Sequence, residues 1–384
     1  MKGKIPMKIS KGLLPLLFFI LAVCIFSGCS HIDKTDVEAV ITNDLDLLKN
    51  LDTDTAQKYV SYTRLFPDTP QEKDLSKEVK EVFSLFFKNF DYKVRSIDVD
   101  NDRKSATADL QLSTIDAKSL AKDYAKAYLQ SEILNAASSD KADEVSASLE
   151  DRYLLLNQLL SSNQYETVER DCTLTLNNEG TDNEIWEINR THSLENDLVG
   201  GLMTYLSDSD LLSPEETLTV YLNTLKAMDL DQMGNYLGIE SLMNTDDSDK
   251  NSIAAALVEQ VHDHFDFKIT DCKIHGYQAS LSTEITTFDS SAILAAYQAQ
   301  QDTYLASPEA VIDGSSKRYE RSLDLLLENI KNNTATRTAT ATFHLTNDGV
   351  SWKLQDSNSS VGSAIFGTLS TTPVSEESDT DTEE

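Results

Sequence analysis

Two histidines in the second half of the chain have the residue types and spacing best suited to chemistry. His262 and His264 stand two positions apart, with Asp263 and Asp266 beside them, and imidazole and carboxylate groups are common zinc ligands. Two imidazoles at this spacing can share an ion where the backbone is extended, but no third ligand is indicated. Histidines at the end of a helix are equally explained by its C-terminal dipole. We therefore predict no metal site and no cofactor.

Acidic pairs and one serine–lysine pair are the remaining chemical candidates. Asp-x-Asp occurs at 52–54 and again at 229–231, and a further acidic run covers 246–249. Calcium loops need a longer series of oxygen ligands, a glycine and a closing bidentate acid, which are missing, so the two pairs are expected to cap helices. Ser119 and Lys122 spell S-x-x-K, but the S-D-N and K-T-G elements of penicillin-binding enzymes are absent. We predict no catalytic residue.

The amino-terminal segment indicates a different chemistry, the attachment of lipid to a cysteine. Four lysines precede an apolar run over 13–26, and Ser-Gly then leads directly into Cys29. This layout predicts a secretory signal over 1–28, because the run is too short and one-sided to be a spanning helix. The segment resembles the lipobox of bacterial lipoproteins, in which a peptidase cuts before a cysteine that carries a diacylglyceryl group. Cys24 is a poor rival because a valine precedes it, and the alternative is an ordinary signal with a chance cysteine.

The lipobox resemblance implies where the protein works. The membrane would be a partner through diacylglyceryl-Cys29, with residues 29–34 as a short lipidated tether on the extracytoplasmic face of a Gram-positive cell membrane. The chain carries 33 Lys and Arg against 64 Asp and Glu, a formal net charge of −31. Such a balance argues against nucleic acid as a partner. It is compatible with solubility outside the cell, with cationic partners, or with loosely held divalent ions.

The strongest internal signal is a repeat. The matched segments are 48–54 with 225–231, 59–60 with 236–237, 90–93 with 265–268, and 186–188 with 352–354. Because the spacing between matches drifts only slowly, the chain contains two copies of one domain. We predict a first repeat over 35–206, a linker over 207–213, a second repeat over 214–369, and a disordered acidic tail over 370–384.

Each copy predicts the same order of elements. A helix opens each copy. In the first copy its apolar residues form a stripe from Val37 to Leu51, and in the second Ser213, Pro214 and Glu216 form a capping box. A short helix capped by Asp54 or Asp231 and a third helix follow. A strand pair comes next, and its return strand is expected at 104–115 in the first copy and 277–288 in the second. Two helices then follow, at 117–136 and 141–161 in the first copy and at 290–306 and 315–332 in the second. A hairpin closes each copy, with its last strand at 185–189 or 350–354. In both first strands the apolar alternation slips by one residue, which predicts a shared β-bulge.

Two cysteines remain once the signal and the lipidated residue are set aside, Cys172 and Cys272. Each falls on an apolar face of a different repeat. A disulfide would have to join two separate interiors, which its geometry does not permit. Both are expected to be free and buried.

Helices, a strand pair, a helical excursion and a second strand pair predict an α+β fold, with one curved antiparallel four-stranded sheet in each repeat. The early Leu-Lys-x-x-Asp-x-Asp helix and late Trp hairpin resemble the NTF2-like (cystatin-like) superfamily, and in particular the extracytoplasmic domains of Gram-positive lipoproteins. Some members of that superfamily use a cone inside the sheet as a pocket. The aromatic residues that could line such a cone, or simply fill a core, are Tyr92, Trp186, Phe267, Phe343 and Trp352.

These observations favour a non-catalytic, lipid-anchored binding or interaction protein. Its partner could be an envelope protein, a glycan, a peptide or a small ligand. A small-molecule binder or sensor that uses the cone of one or both domains is the alternative, and an enzyme is less favoured because no pair of acids or histidines is spaced for acid–base work.

Overall fold

The computed structural model describes residues 34–52, 56, 58–67, 69, 76–100, 104–138, 147–178, 185–237, 248–355 and 357–367. Two four-stranded antiparallel sheets, each packed with helices, make this an α+β protein. The predicted signal, Cys24, Cys29, Asp54, residues 246–247 and the tail from 370 lie outside the described residues. No helix of the described ranges combines the length and hydropathy needed to cross a bilayer.

The first repeat contains seven described helices and one sheet. Its helices are α1 (Lys34–Lys49), α2 (Tyr62–Leu65), α3 (Lys77–Phe86), α4 (Ala117–Ala136), α5 (Leu149–Ser162), α6 (His192–Leu198) and α7 (Leu202–Leu206). Its strands are β1 (Asp91–Asp100), β2 (Ser105–Ile115), β3 (Thr167–Asn178) and β4 (Trp186–Ile188), hydrogen-bonded in that order.

The second repeat has the same order of strands, but three helices rather than the predicted two lie between its second and third strands, and one described helix follows its sheet where the first repeat has two. The additional short helix begins at Pro308, with Ser307 as its N-cap. The helices of this repeat are α8 (Pro214–Lys226), α9 (Leu230–Leu237), α10 (Ser248–His264), α11 (Ser290–Leu305), α12 (Pro308–Ile312), α13 (Ser315–Lys331) and α14 (Ser357–Phe366). Its strands are β5 (Asp266–His275), β6 (Gln278–Phe288), β7 (Thr336–Asn347) and β8 (Trp352–Leu354), again paired in chain order.

The two sheets agree in detail. Their successive strands have 10, 11, 12 and 3 residues in the first sheet and 10, 11, 12 and 3 in the second. The register shifts between Val94 and Ser96 in β1, and between Ile269 and Asp271 in β5. The shared β-bulge predicted from the slipped alternation is therefore confirmed, which supports a common origin for the two sheets.

Local sequence signals set several helix ends. The Ser213 hydroxyl accepts a hydrogen bond from the Glu216 backbone N–H at 3.2 Å, and the Glu216 carboxylate accepts one from the Ser213 N–H at 3.0 Å. This confirms the predicted capping box. The predicted stripe on α1 holds through Leu48, but Leu51 lies past the helix end, with φ of 65° and 40% of its surface exposed.

Two further sequence expectations are wrong. Asp229, not Asp231, caps α9: its carboxylate accepts from the Gln232 N–H at 2.9 Å, while Asp231 lies inside the first turn. Cys172 is buried, as expected, but Cys272 is only half-buried, and both are free thiols. Cys272 lies on the edge strand β5, which has a neighbouring strand on one side only, so its face receives less cover than the interior strands do.

The two repeats are packed against each other through α4. Ile133 and Ala137, at the end of this first-repeat helix, belong to the hydrophobic core of the second repeat. The Asn235 side-chain amide donates to the Ala137 carbonyl at 3.1 Å. The Lys122 ammonium also lies 2.9 Å from the Glu216 carboxylate. Glu216, a member of the capping box of α8, therefore also forms an ion pair between the repeats.

Candidate functional site

A cavity of about 240 Å³ lies between the two repeats. Its walls come from α4, α5, the segment from Leu206 to Leu212, the first turn of α8, and the turn between β7 and β8. We call it the interrepeat cavity; the lining residues that carry its chemistry are Tyr128, Arg152, Leu211, Leu212, Trp352 and Lys353.

The linker side of this cavity is held by one carboxylate. Asp210 accepts a hydrogen bond from the Trp352 indole N–H at 2.9 Å and another from the Asn347 side-chain amide at 3.1 Å. The same amide also donates to the Ser209 carbonyl at 3.0 Å. Because these bonds join the linker to the β7–β8 hairpin, Trp352 is placed in the cavity wall by residues far from it in sequence.

The β7–β8 turn positions the adjacent cation. Gly349 adopts φ of 90°, a conformation that favours glycine, and Asp348 accepts from the backbone N–H groups of Val350 and Ser351, each at 2.9 Å. The Lys353 ammonium lies 2.8 Å from the Asp348 carboxylate. This contact raises the pKa of Lys353 above its ordinary value and lowers that of Asp348 to about 2. Lys353 is therefore a neutralised cation.

Arg152 is the other cation of the cavity, and its environment differs. Its guanidinium lies 5.0 Å from the ring centre of Tyr128 and 5.5 Å from that of Phe66. It donates two long hydrogen bonds, both 3.4 Å, to the Tyr128 hydroxyl and the Ala147 carbonyl. No carboxylate of the described residues lies within the 4.0 Å of an ion pair with Arg152. The positive charge of Arg152 is therefore stabilised by the faces of two aromatic rings rather than neutralised by an acidic side chain.

Tyr124 and Tyr128 line the cavity beside the guanidinium of Arg152. Their rings stack with centres 6.0 Å apart and planes 12° from parallel. Burial raises the pKa of Tyr124 well above its ordinary value, and burial followed by the Glu132 carboxylate raises that of Tyr128. Both therefore remain neutral hydroxyls at physiological pH. The buried Tyr124 hydroxyl meets no hydrogen-bond partner of good geometry in the described part of the chain.

A second, more open groove runs along the other side of α4. It measures about 400 Å³ and is lined by α4, the end of α5 and α8. Its polar lining includes Asp123, Lys126 and Asn223. Asp123 accepts from the Tyr165 hydroxyl at 3.0 Å and Lys126 faces Glu216 at 3.8 Å, so these charges have partners within the protein.

The aromatic residues singled out in the sequence have different positions. Trp186 and Phe343 are buried in the cores of the first and second repeats, 4% and 1% exposed. Tyr92 and Phe267 are partly buried against the same two cores. Trp352, 4% exposed, both closes the second core and lines the interrepeat cavity; the other four residues are not part of that lining.

Sequence reasoning did not identify Arg152, Tyr124 or Tyr128. Tyr124 and Tyr128 are one turn apart on α4, a signal of one shared helix face, but nothing local indicates that Arg152 of α5 joins them. Paired acids or histidines are recognisable from residue type and spacing, whereas an arginine that stacks on the rings of another helix is not.

The histidine pair lies at the end of α10. The His262 ring nitrogen Nε2 is 2.8 Å from the Met228 carbonyl, so this imidazole bonds to the backbone between α8 and α9. The described residues contain no group of three or more His, Cys, Asp and Glu side chains placed to hold a metal ion.

No protein-family model matches the chain, and no curated protein matches it. Among solved structures, similarity is found to the crystal structure of a "putative lipoprotein (ycdA)" from Bacillus subtilis. The TM-score is 0.25 and the identity 10%, with 69% of this chain and 92% of that chain covered. A likeness at this level carries no inference about fold or function.

Proposed function

We propose that this chain is a lipid-anchored extracytoplasmic binding protein, without catalytic activity, that takes a small ligand in the interrepeat cavity. One observation carries the binding role: the cavity between the repeats presents a cation, Arg152, that has no acidic partner among the described residues. Unpaired charge in a partly enclosed, largely apolar cavity is the usual mark of a ligand site. The site lies between the repeats rather than inside a sheet.

The proposed anchor rests on residues 12–29 and their lipobox-like ending at Cys29. Each buried methylene contributes about 0.8 kcal/mol, so one acyl chain binds a membrane reversibly while two hold a protein stably. A diacylglyceryl group supplies two chains, and no polybasic patch is then required. In this proposal the protein acts at the outer face of a Gram-positive cell membrane, and each repeat is an NTF2-like domain.

Lipid attachment is tested by replacing the cysteine and following the protein in its host. Wild type should incorporate labelled palmitate and sediment with membranes, whereas Cys29→Ala should lose the label and appear in the soluble or uncleaved fraction. Cys24→Ala is the matched control, because that cysteine lies five residues earlier inside the expected signal. Full palmitate labelling of Cys29→Ala would refute the anchor.

Ligand binding at the cavity is tested by filling it. Ala125 lines the interrepeat cavity, and Ala127, two residues along α4, lines the open groove instead. A small-molecule fragment set that raises the unfolding temperature of wild type should lose its effect in Ala125→Phe and keep it in Ala127→Phe. Fragments that act equally on both variants would place binding elsewhere and refute the site.

A further inference from the structure

We infer that the interrepeat cavity selects a small carboxylate with an aromatic or branched aliphatic body, and that Arg152 receives the carboxylate. This inference rests on the proposed binding function and adds the chemical class of the ligand. The supporting juxtaposition is one guanidinium without an acidic partner, set beside a floor of buried apolar side chains.

The charged groups of the cavity do not have equal freedom to bind a ligand. Lys353 is paired with Asp348 at 2.8 Å. Asp208 accepts from the backbone N–H of Asp210 at 3.0 Å. Of the two cations of the wall, Arg152 is thus the one without an acidic partner among the described residues.

The guanidinium has donors to spare. Arginine carries five N–H donors, and the described contacts of Arg152 use two of them, both at 3.4 Å. Its planar fork matches the two oxygens of a carboxylate. The rings of Phe66 and Tyr128 cover the group, and reduced access to water strengthens its attraction for an anion. Because the chain has a net charge of −31, it does not attract an anion from a distance, and the attraction of Arg152 for the ligand acts at short range.

The rest of the wall describes the body of the ligand. Leu211, Leu212 and Trp352 are 8%, 9% and 4% exposed and line the cavity together with the Tyr124 ring. The volume of about 240 Å³ is below the range of drug-sized sites, roughly 300–1,000 Å³. A small ligand with one flat or branched apolar part therefore suits this space.

A cationic ligand is the competing possibility, because aromatic rings and the Glu132 carboxylate also border the cavity. Two observations weigh against it. Glu132 adds to the raised pKa of Tyr128 after burial, and to that of Lys353 after the Asp348 contact, so its negative charge already acts on a hydroxyl and a cation of the wall. Arg152 also already occupies the face of the Tyr128 ring, so a second cation there would be repelled.

The chain contains two tryptophans, so Trp186→Phe leaves Trp352 as a single fluorophore in the cavity wall. We would titrate the full-length Trp186→Phe chain with benzoate, benzamide and benzylammonium, three probes that share a ring and differ in charge. Benzoate is expected to change Trp352 emission saturably and to bind about tenfold more tightly than benzamide, since hydrogen bonds between ions exceed neutral ones. Calorimetry on the wild-type chain should give the same order, which guards against an effect of the tryptophan substitution.

Arg152→Gln should lower benzoate affinity about tenfold and leave benzamide affinity nearly unchanged. Arg318→Gln, an exposed arginine of α13 that donates to the Asp313 carbonyl, is the control and should change neither. Preference for benzylammonium, or benzoate binding that is indifferent to Arg152→Gln, would overturn the carboxylate assignment while leaving the binding function in place. Failure of all three probes in both assays would also overturn it, and the fragment test on Ala125→Phe then decides the binding function separately.

Discussion

Asp210 holds the linker to the second repeat, and its removal should have a measurable cost. The carboxylate of this exposed residue accepts hydrogen bonds from two buried donors, the indole N–H of Trp352 at 2.9 Å and the amide of Asn347 at 3.1 Å. Asp210→Ala would leave the Asn347 amide with its bond to the Ser209 carbonyl at 3.0 Å. The Trp352 indole would have no such second acceptor among its described contacts.

The expected cost follows from that difference. A buried donor left without a partner costs about 1–3 kcal/mol, so we expect Asp210→Ala to lower the free energy of unfolding by about 2 kcal/mol. In a domain of about 150–250 residues, a loss of about 2 kcal/mol lowers the unfolding temperature by roughly 4–8 °C. In a Trp352→Phe background the unsatisfied donor no longer exists, and the effect of Asp210→Ala should fall below about 1 kcal/mol.

Urea unfolding followed by circular dichroism on the four proteins of this double-mutant cycle measures both values. Asp302→Ala, at an exposed position of α11, is the control and should stay within about 0.5 kcal/mol of wild type. Equal losses from Asp210→Ala in both backgrounds would show that the indole bond contributes nothing, and would refute the reasoning. Asp210→Ala should also weaken benzoate binding, because the linker and the hairpin that it joins both line the cavity.

Two further predictions concern titrating groups. Burial, then the Asp197 carboxylate, raises the pKa of Cys172 to about 12, and burial, then the Glu215 carboxylate, raises that of Cys272 to about 11; since the thiolate is the reactive form, native protein at pH 8 should alkylate slowly at both. Peptide mapping should find half-buried Cys272 labelled before buried Cys172, and the reverse order would contradict this difference in burial. The pKa of Asp348, lowered to about 2 from its ordinary 3.8, means that its stabilisation is complete above about pH 4 and is lost as the pH falls through about 2. Wild type should therefore lose more thermal stability than Asp348→Asn between pH 4 and pH 2, and parallel curves would refute the contribution.

Much of the fold could be predicted because its signals are local or duplicated. The capping box at Ser213, the helices of each excursion and the slipped alternation in β1 and β5 are all set by residues a few positions apart. Comparing the two copies separated such signals from coincidence, since the same bulge recurs in both first strands. One local signal stayed ambiguous even though it occurs in both copies: Asp231 was assigned the cap that Asp229 provides, because either aspartate of the pair satisfies the composition rule.

The candidate site could not be predicted, for a physical reason. Arg152, the linker and the β7–β8 turn are brought together only when α4 buries its last turn in the core of the second repeat. Neither the hydrophobic periodicity nor a motif indicates this packing, because the contacts join residues far apart in the sequence, such as Asn235 and Ala137, which are 98 positions apart. Trp352 is an example. The sequence predicts the hairpin that contains it and its apolar environment, but not the hydrogen bond from its indole N–H to Asp210.

The sequence by itself determined the α+β class, the duplicated sheet with its bulge, and the expectation of a lipid tether at Cys29, because periodicity, turn residues and a compact signal are properties of neighbouring residues. Only the tertiary structure decided that Trp352 faces a cavity as well as a core, and that Arg152 stacks on Phe66 and Tyr128 without an acid. The packing of one repeat on the other creates that environment, and packing depends on the shape of whole surfaces rather than on the order of adjacent residues.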